Sequence, residues 1–265
     1  MRWPFAKYVG CGNDFIFFDN RLGQFPVTQP ALFSKLCHRQ FGIGADGVIL
    51  LETSSRADCR MRIFNPDNTE AEMCGNGLRC FVRWIETLGF EPPHYTIETM
   101  QRLIKASMHG PNVSVDMGLP KDVRWNVALK FLDQQLVGHC LDTGVPHLVI
   151  FMESVDDLDL NAWGPAIQSL PEWKPHGTNV NFVEIVSESL LKLRTFERGV
   201  GAETLACGTG ATAAALAAAS LHQMAGPITV ETRSKETLII EFLLNDQVKM
   251  IGPAHCTYCG QIDFN

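Results

Sequence analysis

The chain has 265 residues, 46% of them hydrophobic and 19% charged, enough length to bury one large or two modest cores. A formal net charge of −7 with no basic cluster excludes the electrostatic footprint of a nucleic-acid binder. No apolar run reaches the roughly eighteen residues of a membrane span, and Met1-Arg2-Trp3-Pro4 leads into mixed sequence without a signal-peptide core, so a cytoplasmic protein is expected.

Phe5 to Val9 reads as a strand, Gly10 to Asp14 as a tight loop, and Phe15 to Phe18 as a second strand; Asn13 and Asp14 are candidates for a site mouth. Pro30 to Arg39 has the apolar spacing of a helix. Gly42-Ile43-Gly44-Ala45-Asp46-Gly47 spells a dinucleotide fingerprint, but a helix precedes it and the strand Val48 to Leu51 follows, the reverse of what that fingerprint requires. A strand over Cys59 to Phe64 and a turn at Asn65-Pro66-Asp67-Asn68 lead into Cys74-Gly75-Asn76-Gly77, which opens a helix ending at Gly89. Strands follow at Tyr95 to Met100, Leu103 to Met108 and Val113 to Met117.

Gly118-Leu119-Pro120 marks the expected boundary between domains 1–119 and 120–265, with a return of the last strand to the first domain left open. Beyond it come strands at Gln135 to Leu141 and Leu148 to Met152, a helix near Asn161 to Leu170, and strands at Val180 to Ile185 and Leu190 to Phe196. Cys207-Gly208-Thr209-Gly210 opens an Ala-rich helix, suited to burial on every side, and three closing strands follow Gly226-Pro227.

Cys74 and Cys207 lie 133 positions apart, and the same offset superposes Thr96-Ile97-Glu98-Thr99 on Thr229-Val230-Glu231-Thr232, Gly44 on Gly177 and Glu70 on Glu203. Arg62-Ile63-Phe64 matches Arg194-Thr195-Phe196 at an offset of 132. The chain therefore reads as two copies of one α+β unit, each a mixed sheet or barrel curled around a central helix. A thiol just before a helix meets unpaired N–H groups and the positive end of the helix dipole, which favour thiolate and seat an anion beside it. One such motif is equally well read as a small buried hydrophobe before a tight turn. Two matched ones suit the inversion of a carbon that carries hydrogen, which needs a base on one face and an acid on the other. No cofactor motif competes.

The nine cysteines are odd in number and expected to be reduced. Cys256-Thr257-Tyr258-Cys259 lacks a second ligand pair and lies in strand-like sequence, where residues three apart face opposite ways, so no metal is expected.

Gly12-Asn13-Asp14-Phe15, Cys74-Gly75-Asn76-Gly77-x-Arg79-Cys80, Pro146-His147, Asn179-Val180-x-Phe182, Glu197-Arg198-Gly199 and Glu203-Thr204-x-x-Cys207-Gly208-Thr209-Gly210 together resemble the diaminopimelate epimerase family over nearly the whole chain. The resemblance implies cofactor-independent interconversion of LL- and meso-2,6-diaminopimelate, serving lysine and peptidoglycan synthesis, in a duplicated α+β fold. It implies Cys74 and Cys207 as the acid/base pair and His147 and Glu197 as groups that tune them. Asn13, Asn65, Asn179, Glu197 and Arg198 would hold the unreacting end of the substrate, and the Gly75-Asn76 and Gly208-Thr209 backbones its reacting carboxylate. Two departures stand out: Val145 occupies a position that is often Asn, and the segment from Glu197 to Cys207 is one residue longer than expected. The partner expected is a small amino acid, with no membrane or nucleic acid; a homodimer is compatible. The alternatives are a proline-racemase-like or broader amino acid racemase, and a thiol redox or metal-binding protein using Cys74, Cys80, Cys256 and Cys259.

Overall fold

The computed structural model describes residues 2–29, 31–91, 93–131, 134–244 and 247–264. It divides into two compact units, Met1–Asp116 with Gly252–Asn265, and Met117–Ile251.

The first unit runs β1 (Arg2–Gly10), β2 (Asn13–Asp19), α1 (Leu32–Cys37), β3 (Gly47–Glu52), β4 (Cys59–Phe64), β5 (Glu70–Ala71), α2 (Gly75–Thr87), β6 (Tyr95–Glu98), β7 (Leu103–His109) and β8 (Asn112–Gly118). The second runs β9 (Lys121–Phe131), β10 (Gln134–Asp142), β11 (Pro146–Met152), α3 (Leu160–Gln168), a 3-10 turn (Pro171–Trp173), β12 (Asn179–Ser187), β13 (Leu190–Glu197), β14 (Ala202–Thr204), α4 (Gly208–His222), β15 (Ile228–Glu231), β16 (Thr237–Phe242) and β17 (Val248–Gly252). The last strand, β18 (His255–Asp263), belongs to the first unit. Pro30, the expected first residue of α1, lies outside the described residues.

Strand pairing repeats element for element. The first sheet is ordered β18-β1-β2-β3-β4-β6-β7-β8, with β5 also on β4, and is antiparallel except at β2/β3 and β4/β6. The second is β9-β10-β11-β12-β13-β15-β16-β17, with β14 also on β13, and its parallel pairs are the matching β11/β12 and β13/β15. The chain thus makes four strands after α4 rather than the expected three. The fourth, β18, stands to β1 as β9 stands to β10, so it opens a further turn of the repeat and adds it to the first sheet.

Neither sheet is a closed barrel. Closure of eight strands leaves room only for side chains, whereas an α-helix with its side chains is about 10 Å across; each sheet curls around its helix and stays open. The helix α2 packs against β1, β2, β4, β7 and β18, burying Leu78, Phe81, Val82 and Ile85 completely. The helix α4 meets β10, β11, β12, β13, β15 and β16, and Ala211, Ala213, Ala214, Ala215, Ala217 and Ala218 are all fully buried, as its composition implied. Outside the sheets, α1 joins Phe18, Phe25 and Phe64 in one core, and α3 with Trp173 covers Ile150, Phe182 and Phe196 in another.

One strand expectation fails. Lys7 pairs with Tyr258 and Tyr8 with Cys256, so Thr257 is an extra residue in β18, a bulge. The bulge resets the alternation and brings Cys256 and Cys259 to the same face, their Sγ atoms 3.9 Å apart. The opposite-face reading assumed an unbroken strand.

Candidate active site

Cys74 is the N-cap of α2 in extended conformation (φ −144°, ψ 114°), and its Sγ accepts the Gly77 N–H at 3.4 Å. Cys207 caps α4 the same way (φ −123°, ψ 107°), its Sγ accepting the Gly210 N–H at 3.4 Å. A sulfur that accepts a backbone N–H at a helix N-terminus is favoured as thiolate. Other cysteines are held as thiols: burial pushes Cys37 and Cys59 up to about 12 and raises Cys140.

Matched ion pairs aim the two thiol loops. Arg62 on β4 donates to both oxygens of Glu70 on β5 at 2.8 and 2.7 Å, and Arg194 on β13 donates to both oxygens of Glu203 on β14 at 2.7 and 2.8 Å. Each bidentate pair pins the short strand from which the chain enters its cysteine turn.

In the first unit, Asn76 is buried on the first turn of α2 and donates to Asn13 Oδ1 at 2.8 Å, while Asn13 donates to Asp46 at 2.8 Å. The completely buried Arg79 holds Asn76 from the other side, donating to its Oδ1 at 3.0 Å and to the Gly75 carbonyl at 3.3 Å. Cys74, Gly75, Asn76 and Asn13 are therefore brought together. Asn65 lies in the turn after β4, where its amide donates to Thr69 Oγ1 at 3.0 Å; no hydrogen bond described links it to that group.

Asp14 anchors this cluster through Lys7 at 2.9 Å and Arg39 at 2.9 Å. Burial raises its carboxyl pKa, but hydrogen bonds from Arg39 and Lys7 outweigh burial and hold it below the ordinary aspartate value. A carboxylate whose pKa is depressed by folding contributes stability above its unfolded pKa and loses it as pH falls through the folded value. Urea titrations between neutral pH and acid should show that loss below the ordinary aspartate range. Asp14→Asn should cost about 3 kcal/mol at neutral pH, by leaving the buried Lys7 ammonium without its carboxylate, and flatten the acid dependence; an unchanged midpoint would contradict the assignment.

In the second unit, Asn179 Oδ1 accepts the Arg198 N–H at 2.8 Å, and the Arg198 guanidinium donates to the His176 carbonyl at 2.6 Å. Glu197 accepts from Thr204 at 2.7 Å. The longer segment after Glu197 is taken up by a turn with Gly199 and Gly201 at φ 83° and 68°, closed by Gly201 N–H to the Glu197 carbonyl at 3.1 Å. Thr209 Oγ1 lies 3.4 Å from Cys207 Sγ, and Thr143 donates to the Thr209 carbonyl at 2.9 Å. His147, 1% exposed on β11, has Nδ1 3.0 Å from Asn181 Nδ2. Burial, with a smaller contribution from Arg198 and against the Asn181 hydrogen bond, pushes its pKa down to about 3.

Arg79 stood in the first cysteine motif without a role, and Thr143 and Asn181 were not singled out from sequence. Asn181 carried a usable signal: in Asn179-Val180-Asn181-Phe182, polar and apolar residues alternate at the start of a strand, which puts both amides on one face. Among the described residues no cluster of three or more metal-ligating side chains occurs, and no helix is long and apolar enough to cross a membrane.

Solved structures fix the class of fold. The chain superposes over its full length on a phenazine biosynthesis protein of the PhzF family from Bacillus anthracis, also covered in full (TM-score 0.77, 15% identity). A probable proline racemase from Agrobacterium radiobacter shares the fold over 99% of this chain and 93% of its own (TM-score 0.72, 15% identity). The family model described as diaminopimelate epimerase matches residues 5–123 and again 139–257. Diaminopimelate epimerase from Chlorobaculum tepidum is 41% identical, covering 96% of this chain and 98% of its own, and that of Methanocella arvoryzae is 40% identical, covering 98% and 96%. The chain belongs to the diaminopimelate epimerase family.

Proposed function

We propose that the protein interconverts LL- and meso-2,6-diaminopimelate, a cytoplasmic step toward lysine, by moving a proton off and onto the α carbon between Cys74 and Cys207. The observation that carries this reading is the twofold occurrence of one arrangement: a cysteine N-cap whose Sγ accepts a backbone N–H at 3.4 Å, once in each copy of the repeat.

One thiolate removes the α hydrogen as a proton while the other thiol delivers its proton to the opposite face, so each turnover exchanges the roles of the two sulfurs. The N–H groups at the starts of α2 and α4 are donors for the reacting carboxylate and for the charge that spreads onto it as the carbon is deprotonated. His147 and Glu197 set the protonation of the thiols. Asn13, Asn65, Asn179, Glu197 and Arg198 receive the distal amino acid head. Chiral separation of products from LL-diaminopimelate tests the activity; failure to form the meso isomer with both thiols intact would refute it.

A proline-racemase-like activity would share the two thiols but has no use for a second charged head. Arg198, whose backbone N–H is held by Asn179, favours the longer substrate, since its guanidinium can grip a distal carboxylate bidentately. Arg198→Met is therefore expected to raise KM for diaminopimelate by about tenfold to a hundredfold, the equivalent of one or two charged hydrogen bonds, and to leave kcat within a few-fold. A fall in kcat at constant KM would instead place Arg198 in the chemistry or the scaffold.

A further inference from the structure

We propose that Asn181 holds His147 as a neutral imidazole with its proton on Nε2, so that His147 acts as a hydrogen-bond donor to negative charge in the site and not as a base.

The orientation of the Asn181 amide settles the tautomer. Its nitrogen lies 3.0 Å from the Leu148 carbonyl oxygen and 3.3 Å from the Asn179 carbonyl oxygen, so that end must be the NH2 group. The other end, Oδ1, accepts the Thr195 hydroxyl at 3.0 Å. The side chain is completely buried between β11 and β13, and its Oδ1 lies against Gly210, where a Cβ would come within 2.4 Å, so no flip is free. The same NH2 group lies 3.0 Å from His147 Nδ1. An amide NH2 has no lone pair to offer. A proton on Nδ1 would point at a nitrogen that can only donate, which rules out both the Nδ1–H tautomer and the imidazolium.

The proton of the neutral ring is then on Nε2, and this buried nitrogen has no hydrogen-bond partner among the described residues. Buried donors are rarely left so; one beside a proposed anion-handling centre is placed for an acceptor that arrives with the substrate or forms in the reaction, a carboxylate or a thiolate. Burial and, more weakly, Arg198 in the turn after β13 favour the uncharged ring; a hydrogen bond to Asn181 would favour the charged ring only if the ring donated it, and the amide NH2 cannot accept. Asn181 is thus a positioning residue for His147. The inference rests on the proposed epimerisation for the identity of the anion, and on the hydrogen bonds alone for the form of the ring.

Long-range nitrogen–proton NMR of histidine-labelled protein tests it, with the His147 signals assigned by their loss in His147→Gln. Nδ1 should resonate as an unprotonated ring nitrogen and Nε2 as a protonated one from about pH 5 to about pH 9, where a free imidazole would titrate. Adding diaminopimelate should move the Nε2–H resonance and leave Nδ1 unprotonated. Asn181→Ser should release the ring to a mixture of tautomers, bring its titration into that window, and add to kcat/KM a further ionisation beside those of the coupled thiol pair. A proton on Nδ1 or a charged ring in the wild type would overturn the inference even in a fully active enzyme, as would an unchanged tautomer in folded Asn181→Ser. An inactive wild type with the expected Nε2–H would support the assignment of the ring while refuting the epimerase reading.

Discussion

Cys74→Ala and Cys207→Ala are each expected to reduce epimerisation by a factor of about 10⁴ or more, because inversion needs an acid and a base together and a positioned proton-transfer group contributes about 10² to 10⁴. The two losses should not multiply in the double variant, since either one already breaks the pair. Cys59→Ala and Cys140→Ala should remain active: both thiols are buried in a sheet and held protonated by that burial. Isotope exchange separates two bases from one. In heavy water the donating thiol carries solvent deuterium while the abstracting thiolate removes the substrate's hydrogen, so early product should be labelled and recovered substrate should not. Label appearing equally in both, or full activity in Cys207→Ala, would end the two-thiol reading. The pH profile of kcat/KM should reflect the coupled pair, with limbs assignable to neither cysteine alone.

The repeat was legible because it is written in residues with few substitutes. Cys-Gly-x-Gly at a helix start supplies a cap, a close approach and a thiol in four positions, and the 133-residue offset that joins the two motifs also relates β2 to β11 and β6 to β15. Likewise Arg62–Glu70 and Arg194–Glu203, matched first as letters, are the same bidentate pair made twice. What could not be read was long-range or local to a backbone irregularity. The return of the last strand to the first unit stood only as an alternative, because nothing in His255 to Asp263 decides between pairing with β1 and extending the second sheet, and a bulge at Thr257 has no signature in a run of strand formers. The copies also differ where function needs them to. Position 14 and its counterpart 147 hold Asp and His: the first is a carboxylate fixed by Lys7 and Arg39, the second a neutral ring fixed by Asn181. Sequence placed both residues near a site, but only the partners supplied by other strands distinguish an anchor from a donor.

Gly210→Ala is expected to cost about a hundredfold in kcat, although the same change inside a helix ordinarily stabilises by roughly 0.5–1 kcal/mol. Gly210 occupies the first turn of α4, and a Cβ there would lie 2.4 Å from Asn181 Oδ1, 3.2 Å from Cys207 Cβ and 3.3 Å from Cys207 Sγ. Asn181 cannot yield, because Thr195 holds its oxygen and the Leu148 and Asn179 carbonyls hold its nitrogen. The start of the helix must move instead, taking with it the N–H that Cys207 accepts and the orientation of the thiol. A displacement near 1 Å at a reacting group is worth about 10² in rate. The equivalent glycine of the first copy is less constrained. A Cβ on Gly77 would meet Ile49 Cδ1 at 2.9 Å and Phe15 Cζ at 3.5 Å, with Cys74 Cβ at 3.6 Å; the nearest of these is the end of an aliphatic chain that can rotate. Gly77→Ala should therefore keep most of its activity at a stability cost of about 1–2 kcal/mol from overpacking. Steady-state kinetics beside urea unfolding of both variants measure the contrast. Equal loss of kcat in the two would mean that the glycines serve only the helix turns, and a Gly210→Ala enzyme with normal kcat would show that Asn181 does not hold the cysteine turn in place.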